Sequence, residues 1–449
     1  MQLTESQVLA LAPDSGSANN GKKLANAKHW PLLGKSGRAL WGECQGSGSK
    51  PYQVRVDAAD FASKCSCPSF KFPCKHALGL LMLTAQQPQL LVDATEPEWV
   101  SNWLDKRSET AEHKQARAEA KATAPVDEAA QRKRAQKRDT RVQDGLSAFD
   151  IWLQDLVRNG LARLPGEGSA VWEQQAARLV DAQVSGLAAR VRALADVPGS
   201  TPDWPEQLLA EMGLWSLAVR GNERIEQLPP PLQATLRQYL GYAVRADDVL
   251  ANGEAVRDRW HIIGQSRDDD ERVRVLRSWL MGERTGRPAL LLQFAVGPQT
   301  FEAAPVPGTA FEADLAFWPG AYPQRAAIKG SISAAPPPEQ FAGTPLNMPG
   351  LLAAWAAALA LNPWLDKLPV VLQAVTPLRR AGEAQTEAAA TWWAVDADGH
   401  ALPLAGQNHW LWMSLSGGQP LDVAAEWDGH TLRPLGLFHQ GRYQALTTS

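Results

Sequence analysis

The stretch Lys64-Cys65-Ser66-Cys67-Pro68-Ser69-Phe70-Lys71-Phe72-Pro73-Cys74-Lys75-His76 holds three of the chain's four cysteines and one of its eight histidines. Its pattern, Cys-x-Cys-x6-Cys-x-His, supplies four soft or borderline donors, which is what a tetrahedral zinc ion requires. A Cys3His set closes the coordination shell and leaves no position for a water nucleophile. The spacing therefore predicts one structural Zn2+ held by Cys65, Cys67, Cys74 and His76.

Working outward, residues 38–57 read as a hairpin. The segment Arg38-Ala39-Leu40-Trp41-Gly42-Glu43-Cys44 is followed by a Gly- and Ser-rich turn, and Val54 and Val56 then alternate with polar residues. Cys65 and Cys67 fall on a tight turn, because Pro68 cannot continue strand pairing. After Pro73 the apolar run Ala77-Leu78-Gly79-Leu80-Leu81-Met82-Leu83 begins a helix, with Cys74 and His76 at its first turn. The product is a small ββα zinc finger. One hairpin and one helix bury too little apolar surface to offset chain entropy, whereas structural zinc contributes on the order of 10 kcal/mol of coupled folding energy. Lys64, Lys71 and Lys75 flank the thiolates, either offsetting the negative charge of the zinc centre or meeting phosphates.

These residues resemble a bacterial SWIM-type zinc finger protein: the Cys-x-Cys-x6-Cys-x-His array, the preceding Trp41-Gly42-Glu43-Cys44-Gln45-Gly46-Ser47-Gly48, and Cys74-Lys75-His76-Ala77 leading into an apolar helix. The resemblance covers about residues 25–85. It implies zinc binding by Cys65, Cys67, Cys74 and His76 in a module for binding DNA or proteins, as in transposases, ubiquitin ligases and chromatin-associated proteins. It also implies a possible setting beside a MoxR-type AAA ATPase and a protein with a von Willebrand factor A domain, and hence a role as adaptor or assembly factor.

Cys44 is left over, and its place on a strand beside Leu40 and Trp41 reads as a small buried residue. Thr95-Glu96-Pro97-Glu98 has capping-box spacing ahead of Trp99, Val100, Trp103 and Leu104, which predicts a short helix closing the finger domain. From 105 to 145 Ala, Gln, Glu, Lys and Arg dominate, as in a charged, partly helical linker. Within it Arg132, Lys133, Arg134, Lys137 and Arg138 form a basic cluster. Such a cluster either contacts a nucleic-acid backbone or is a solvated helical face, and no aromatic residues are interleaved to stack on bases.

From Leu146 apolar residues recur at helical spacing: Leu146, Phe149, Leu153, Leu156, Val157 and Leu161, then Trp172, Leu179, Leu187, Val191 and Leu194. Two more helices are expected near 206–220 and 232–242. Beyond 250, strands are expected at 260–264, 289–296, 313–318 and 369–375, and helices at 272–281 and 351–361. The acidic run Asp268-Asp269-Asp270-Glu271 reads as N-terminal charge for the first of these helices. Asp398-Gly399-His400 and Asp428-Gly429-His430 read as two hairpin turns of one sheet. Turn chemistry is preferred there over a metal site built from the two histidines and their aspartates.

The 449 residues carry a net charge of −3, unevenly spread. Residues 20–76 hold ten Lys/Arg against three acids, a basic module on an acidic body, which fits an anionic partner such as nucleic acid or a solvated surface. Few cysteines outside the finger point to a reducing, cytoplasmic setting. No apolar run is long enough to cross a bilayer, so no membrane partner is expected. Nucleotide-binding loops, His-Glu-x-x-His and nucleophile elbows are missing, and no enzymatic activity is expected; an enzyme with an unrecognised site in the C-terminal domain is the third reading, since catalytic groups can meet in space without a sequence motif. The expected class is a multidomain α+β protein: a finger domain at 1–104, the linker at 105–145, a helical domain at 146–250 and a mixed α+β domain at 251–449.

Overall fold

Four strands and a buried helix build the finger. The computed structural model describes residues 3–46, 48–69, 71–123, 128–269, 273–296, 301, 305–380 and 391–446. Helices α1 (Glu5–Ala10) and α2 (Ser15–Leu24) lead into β1 (Leu32–Lys35), β2 (Ala39–Cys44), β3 (Tyr52–Asp57) and β4 (Ser63–Cys65), an antiparallel sheet in that order, followed by α3 (Lys75–Gln86). The expected hairpin is β2–β3, in register from Ala39↔Asp57 to Cys44↔Tyr52; Ser47 of its turn lies outside the described residues. Two flanking strands extend the ββα unit, and Cys65 belongs to β4 instead of a turn. The indole of Trp41 lies across Gly34, where a Cβ would come within 2.5 Å of the ring. Helix α3 is buried from His76 to Thr84, so its apolar residues meet the sheet on one side and α1 and α2 on the other.

The segment after the finger is more helical than its composition indicates. Helix α4 (Glu98–Thr123) is long, and its first turns seal the sheet, Val100 and Leu104 packing on Ala39 and Trp41. Residues 124–127 lie outside the described residues. Helix α5 (Glu128–Asn159) then carries both the basic cluster and the Leu146–Phe149–Leu153–Leu156 stripe, which enters a core with α6 (Leu164–Glu167), α7 (Ala170–Asp181), α8 (Ser185–Ala193), α9 (Trp204–Glu223) and α10 (Pro230–Leu240). The periodicity that suggested one helix across 172–194 is interrupted at Gln183, whose φ of 64° turns the chain between α7 and α8. Gly186 lets α8 approach α10, since a Cβ there would lie 2.3 Å from the Tyr239 carbonyl oxygen.

After α11 (Ala246–Asn252) come β5 (Ala255–Asp269), β6 (Val273–Gly282), β7 (Pro288–Val296), β8 (Ala310–Phe317) and β9 (Ala326–Ala334), ordered β7-β6-β5-β8-β9. The helix expected at 272–281 is therefore corrected to strand β6 from Val273 on, Arg272 lying outside the described residues. Val273, Val275, Leu276, Trp279 and Leu280 satisfy three-and-four spacing, but in the strand Ser278, Trp279 and Leu280 are buried in succession, on both faces, so simple alternation is lost. The acidic run is correspondingly not a helix start: Asp268 ends β5 in contact with Arg277 and with Arg433, while Asp270 and Glu271 lie outside the described residues. The sheet curls until its edges meet, the Leu290 N–H donating to the Gln324 carbonyl at 2.7 Å beside a parallel bridge from Leu290 to Arg325. All five strands fill the interior, which includes Trp260, Leu280, Leu291, Phe311, Leu315 and Ala326. This is a partly open five-stranded barrel.

A six-stranded antiparallel sheet packs against it, in the order β12-β11-β10-β13-β14-β15: β10 (Leu368–Arg380), β11 (Thr391–Val395), β12 (Ala401–Pro403), β13 (Leu421–Trp427), β14 (Leu432–His439) and β15 (Arg442–Ala445). The two Asp-Gly motifs are the turns of β11–β12 and β13–β14, as expected. One face meets the barrel through Ile263, Trp279, Val371, Leu435 and Tyr443; the other is covered by α12 (Met348–Leu361) and by Trp412 of α13 (His409–Ser416). Between the layers Glu426 of β13, 2 % exposed, accepts hydrogen bonds from Ser266 Oγ (2.6 Å) and Trp279 Nε1 (2.7 Å) and pairs with Lys367 Nζ at 3.0 Å. The finger docks on the barrel: Val306, between β7 and β8, joins its core, and Gln7 Nε2 donates to the Pro307 carbonyl at 2.8 Å. No helix among the described residues is long and apolar enough to cross a membrane.

Candidate metal centre

The end of β4 and the start of α3 bring the donors together. Cys65 closes β4, in register with Val54, and two residues on, past the bend, Cys67 follows; its N–H points at Cys65 Sγ, 3.5 Å away. Cys74 is the N-cap of α3 and His76 lies in the first turn. The donor atoms of Cys65, Cys67, Cys74 and His76 all lie within 4.8 Å of one another. His76 Nδ1 is 3.8 Å from Cys65 Sγ and 4.0 Å from Cys74 Sγ. Zinc–sulfur and zinc–nitrogen bonds of ordinary length at a tetrahedral angle put these atoms about 3.6 Å apart, so a small inward movement completes the shell. The four residues predicted from spacing fit one structural Zn2+ and are the ones that would hold it. Held by four protein donors, the ion would cross-link sheet to helix and would have no open coordination position.

The electrostatics point the same way. Burial raises the Cys67 thiol, and hydrogen bonding to Cys74, burial and the charge of Cys74 raise that of Cys65. Cys74 is lowered, by hydrogen bonds from Cys65 first, against its own burial, with help from His76 and the Ala77 N–H of the helix start. Three thiols crowded in a half-buried pocket cannot all ionise without a cation among them; a divalent metal removes that conflict. The ring of Tyr52 packs on His76 with centroids 4.7 Å apart, a wall of the site that spacing alone did not reveal. Cys44 is fully buried in the finger core, its thiol pushed up to about 11 by burial, and stands outside the ligand group.

The cationic candidates do not form one cluster. Lys64 and Lys75 are exposed and make no ion pair among the described residues, whereas Lys71 is bound 2.9 Å from Asp14, the N-cap of α2. On α5 Arg132, Lys133, Arg134 and Lys137 are exposed. Arg138 turns inward: its guanidinium lies 3.9 Å over the Tyr242 ring and donates to the Gly241 carbonyl. The second titratable group, Asp396, Asp398 and His400, is the β11–β12 turn itself, Asp396 accepting from the N–H groups of Asp398 and His400 and facing His400 Nδ1 at 2.9 Å. His430 is not part of it.

A half-buried Cys3His cluster joining a short antiparallel sheet to a helix defines a structural zinc finger. Residues 52–84 match the family model of the SWIM zinc finger, and residues 137–240 match that of the SWIM-associated four-helix bundle domain. The chain thus carries a SWIM zinc finger together with its companion bundle. The second match begins inside the basic cluster, at Lys137, which agrees with the continuity of α5. No curated protein and no solved structure is matched.

Proposed function

We propose that this chain is a zinc-stabilised nucleic-acid-binding protein and not an enzyme. The observation that carries the reading is the row of exposed cations on α5. Lys133 and Lys137 are one turn apart on a single face, Arg134 is beside them, and none forms an ion pair among the described residues. Lys64 and Lys75 add two more open charges at the finger. The closed zinc shell supports a binding role over a catalytic one. Binding through phosphates releases counterions, so the logarithm of affinity for duplex DNA falls by about 0.9 per decade of salt for each phosphate neutralised. The test is anisotropy of labelled DNA and RNA across salt concentrations. The triple substitution Lys133→Gln, Arg134→Gln, Lys137→Gln is expected to flatten the slope by about 3. Absence of salt-sensitive binding at low ionic strength overturns the reading.

A second reading, a protein partner such as a MoxR-type AAA ATPase, is favoured by one apolar corner of the C-terminal sheet. Trp410 and Leu411 of α13 are 58 % and 42 % exposed and Leu378 of β10 is 52 % exposed, with Trp392 edge-on to Trp410 at 5.0 Å. Substituting Trp410→Asp is expected to abolish capture of such an ATPase while leaving thermal stability unchanged; undiminished capture by the variant sinks this reading.

A further inference from the structure

A cavity of about 340 Å³ lies where the helical bundle, the barrel and the segment before β10 meet. Its barrel side is made by β6, β7 and the loop joining β8 to β9, with Arg277, Leu290, Leu292, Tyr322 and Arg325 among the lining residues. Tyr239 of α10 and Arg190 of α8 close it from the bundle. Partly open five-stranded barrels take their ligands on the face of the second and third strands and the loop between the fourth and fifth, and those are the elements that line this cavity.

The lining is cationic and incompletely satisfied. Arg190 is paired with Asp366 at 2.8 Å, Arg277 with Asp268, and Lys367 with Glu426. Arg325 has no carboxylate among the described residues. Its guanidinium lies 4.2 Å over the Trp318 ring, whose Nε1 donates to the Val244 carbonyl, and burial weighs against its charge. With one face on an indole, the donors around its edge remain available. Two neutral donors of the same lining are also unpartnered: Tyr239 Oη and Gln324 Nε2, on side chains 7 % and 9 % exposed. Buried polar groups are rarely left without partners, and two at one cavity, beside a guanidinium with no carboxylate among the described residues, have a common explanation in a bound acceptor.

We infer that this cavity binds a small organic anion, its phosphate or carboxylate head on Arg325, Gln324 and Tyr239 and its flat apolar body against Leu290, Leu292 and Tyr322. This site is separate from the zinc centre and from the α5 cations and does not depend on the nucleic-acid reading. Three acceptor-rich oxygens of a phosphate match the three donors, and an isolated carboxylate matches two.

The test is calorimetric titration of the full chain with inorganic phosphate, phenyl phosphate and benzoate. Saturable binding at one site is expected, tighter for phenyl phosphate than for inorganic phosphate; the order of phenyl phosphate and benzoate identifies the head group. Arg325→Gln is expected to weaken binding by about tenfold or more, as the loss of a charge-assisted hydrogen bond does. Tyr239→Phe removes only the unpartnered hydroxyl, so its melting temperature is expected at or above that of the parent while its affinity falls about fivefold. No saturation by any of the three probes up to about 10 mM, or parental affinity in both variants, overturns the inference.

Discussion

Replacing Cys74 by serine is expected to abolish stoichiometric zinc and unfold the finger. A serine hydroxyl is a hard donor that stays protonated at neutral pH, and it would stand at the N-cap where the thiolate of Cys74 is stabilised by Cys65, His76 and the Ala77 N–H. Structural zinc contributes about 10–16 kcal/mol of apparent binding energy in fingers of this size, comparable to the whole stability of an ordinary domain. Losing that contribution is expected to unfold the finger, whose core gathers around Leu78, Leu80 and Met82. Metal analysis should find less than one zinc per chain, and proteolysis should open the region before α4. The bundle core around Trp172 and Trp215 is separate and should keep its helicity. One zinc per chain in this variant would overturn the ligand assignment.

Glu426→Gln is the second large effect. Burial by itself pushes the Glu426 carboxyl up, but the charge of Lys367 with hydrogen bonds from Ser266, Lys367 and Trp279 outweighs it and holds the group below its ordinary value of 4.5. The sign follows: a depressed carboxyl stabilises the fold fully above its unfolded value, and that contribution is lost as pH falls through the folded value. Glutamine removes the charge and leaves Lys367 facing the layer interface alone, which costs about 3–5 kcal/mol for a buried pair broken on one side. Urea unfolding at neutral pH and at pH below 4.5, where the group begins to protonate, measures both. The parent should lose stability on acidification and the variant should lose less of it. A variant within about 0.5 kcal/mol of the parent at neutral pH would show that this pair does not hold barrel to sheet.

What could be read in the chain follows the range of the interactions involved. The zinc ligands were legible because all four lie in one short segment, and their chemistry tolerates few other residues. The bundle helices and both Asp-Gly turns were legible because they are local. Strands β1 and β4 were not, being four and three residues long and too short to show alternation. Strand β6 was misread because Leu280 faces the barrel interior while its neighbour Trp279 is covered by the second sheet, which erases the period of two. The anion cavity could not be read at all: its donors come from residues 239, 324 and 325, brought together only when the barrel closes and the bundle docks.

The dock between finger and barrel has a consequence for synthesis. Gln7 and its acceptor Pro307 are separated by 300 positions, and Val306, which completes the finger core, is equally distant. The finger is complete only at Gln86, and a ribosome adding ~5–20 residues per second needs roughly 11–44 s to make the stretch from there to Pro307. For that interval the nascent finger has neither its docking surface nor its last core residue, and its own core and the metal would have to hold it. Zinc is then expected to act as a temporary brace during translation before it becomes one fastening among several in the finished molecule.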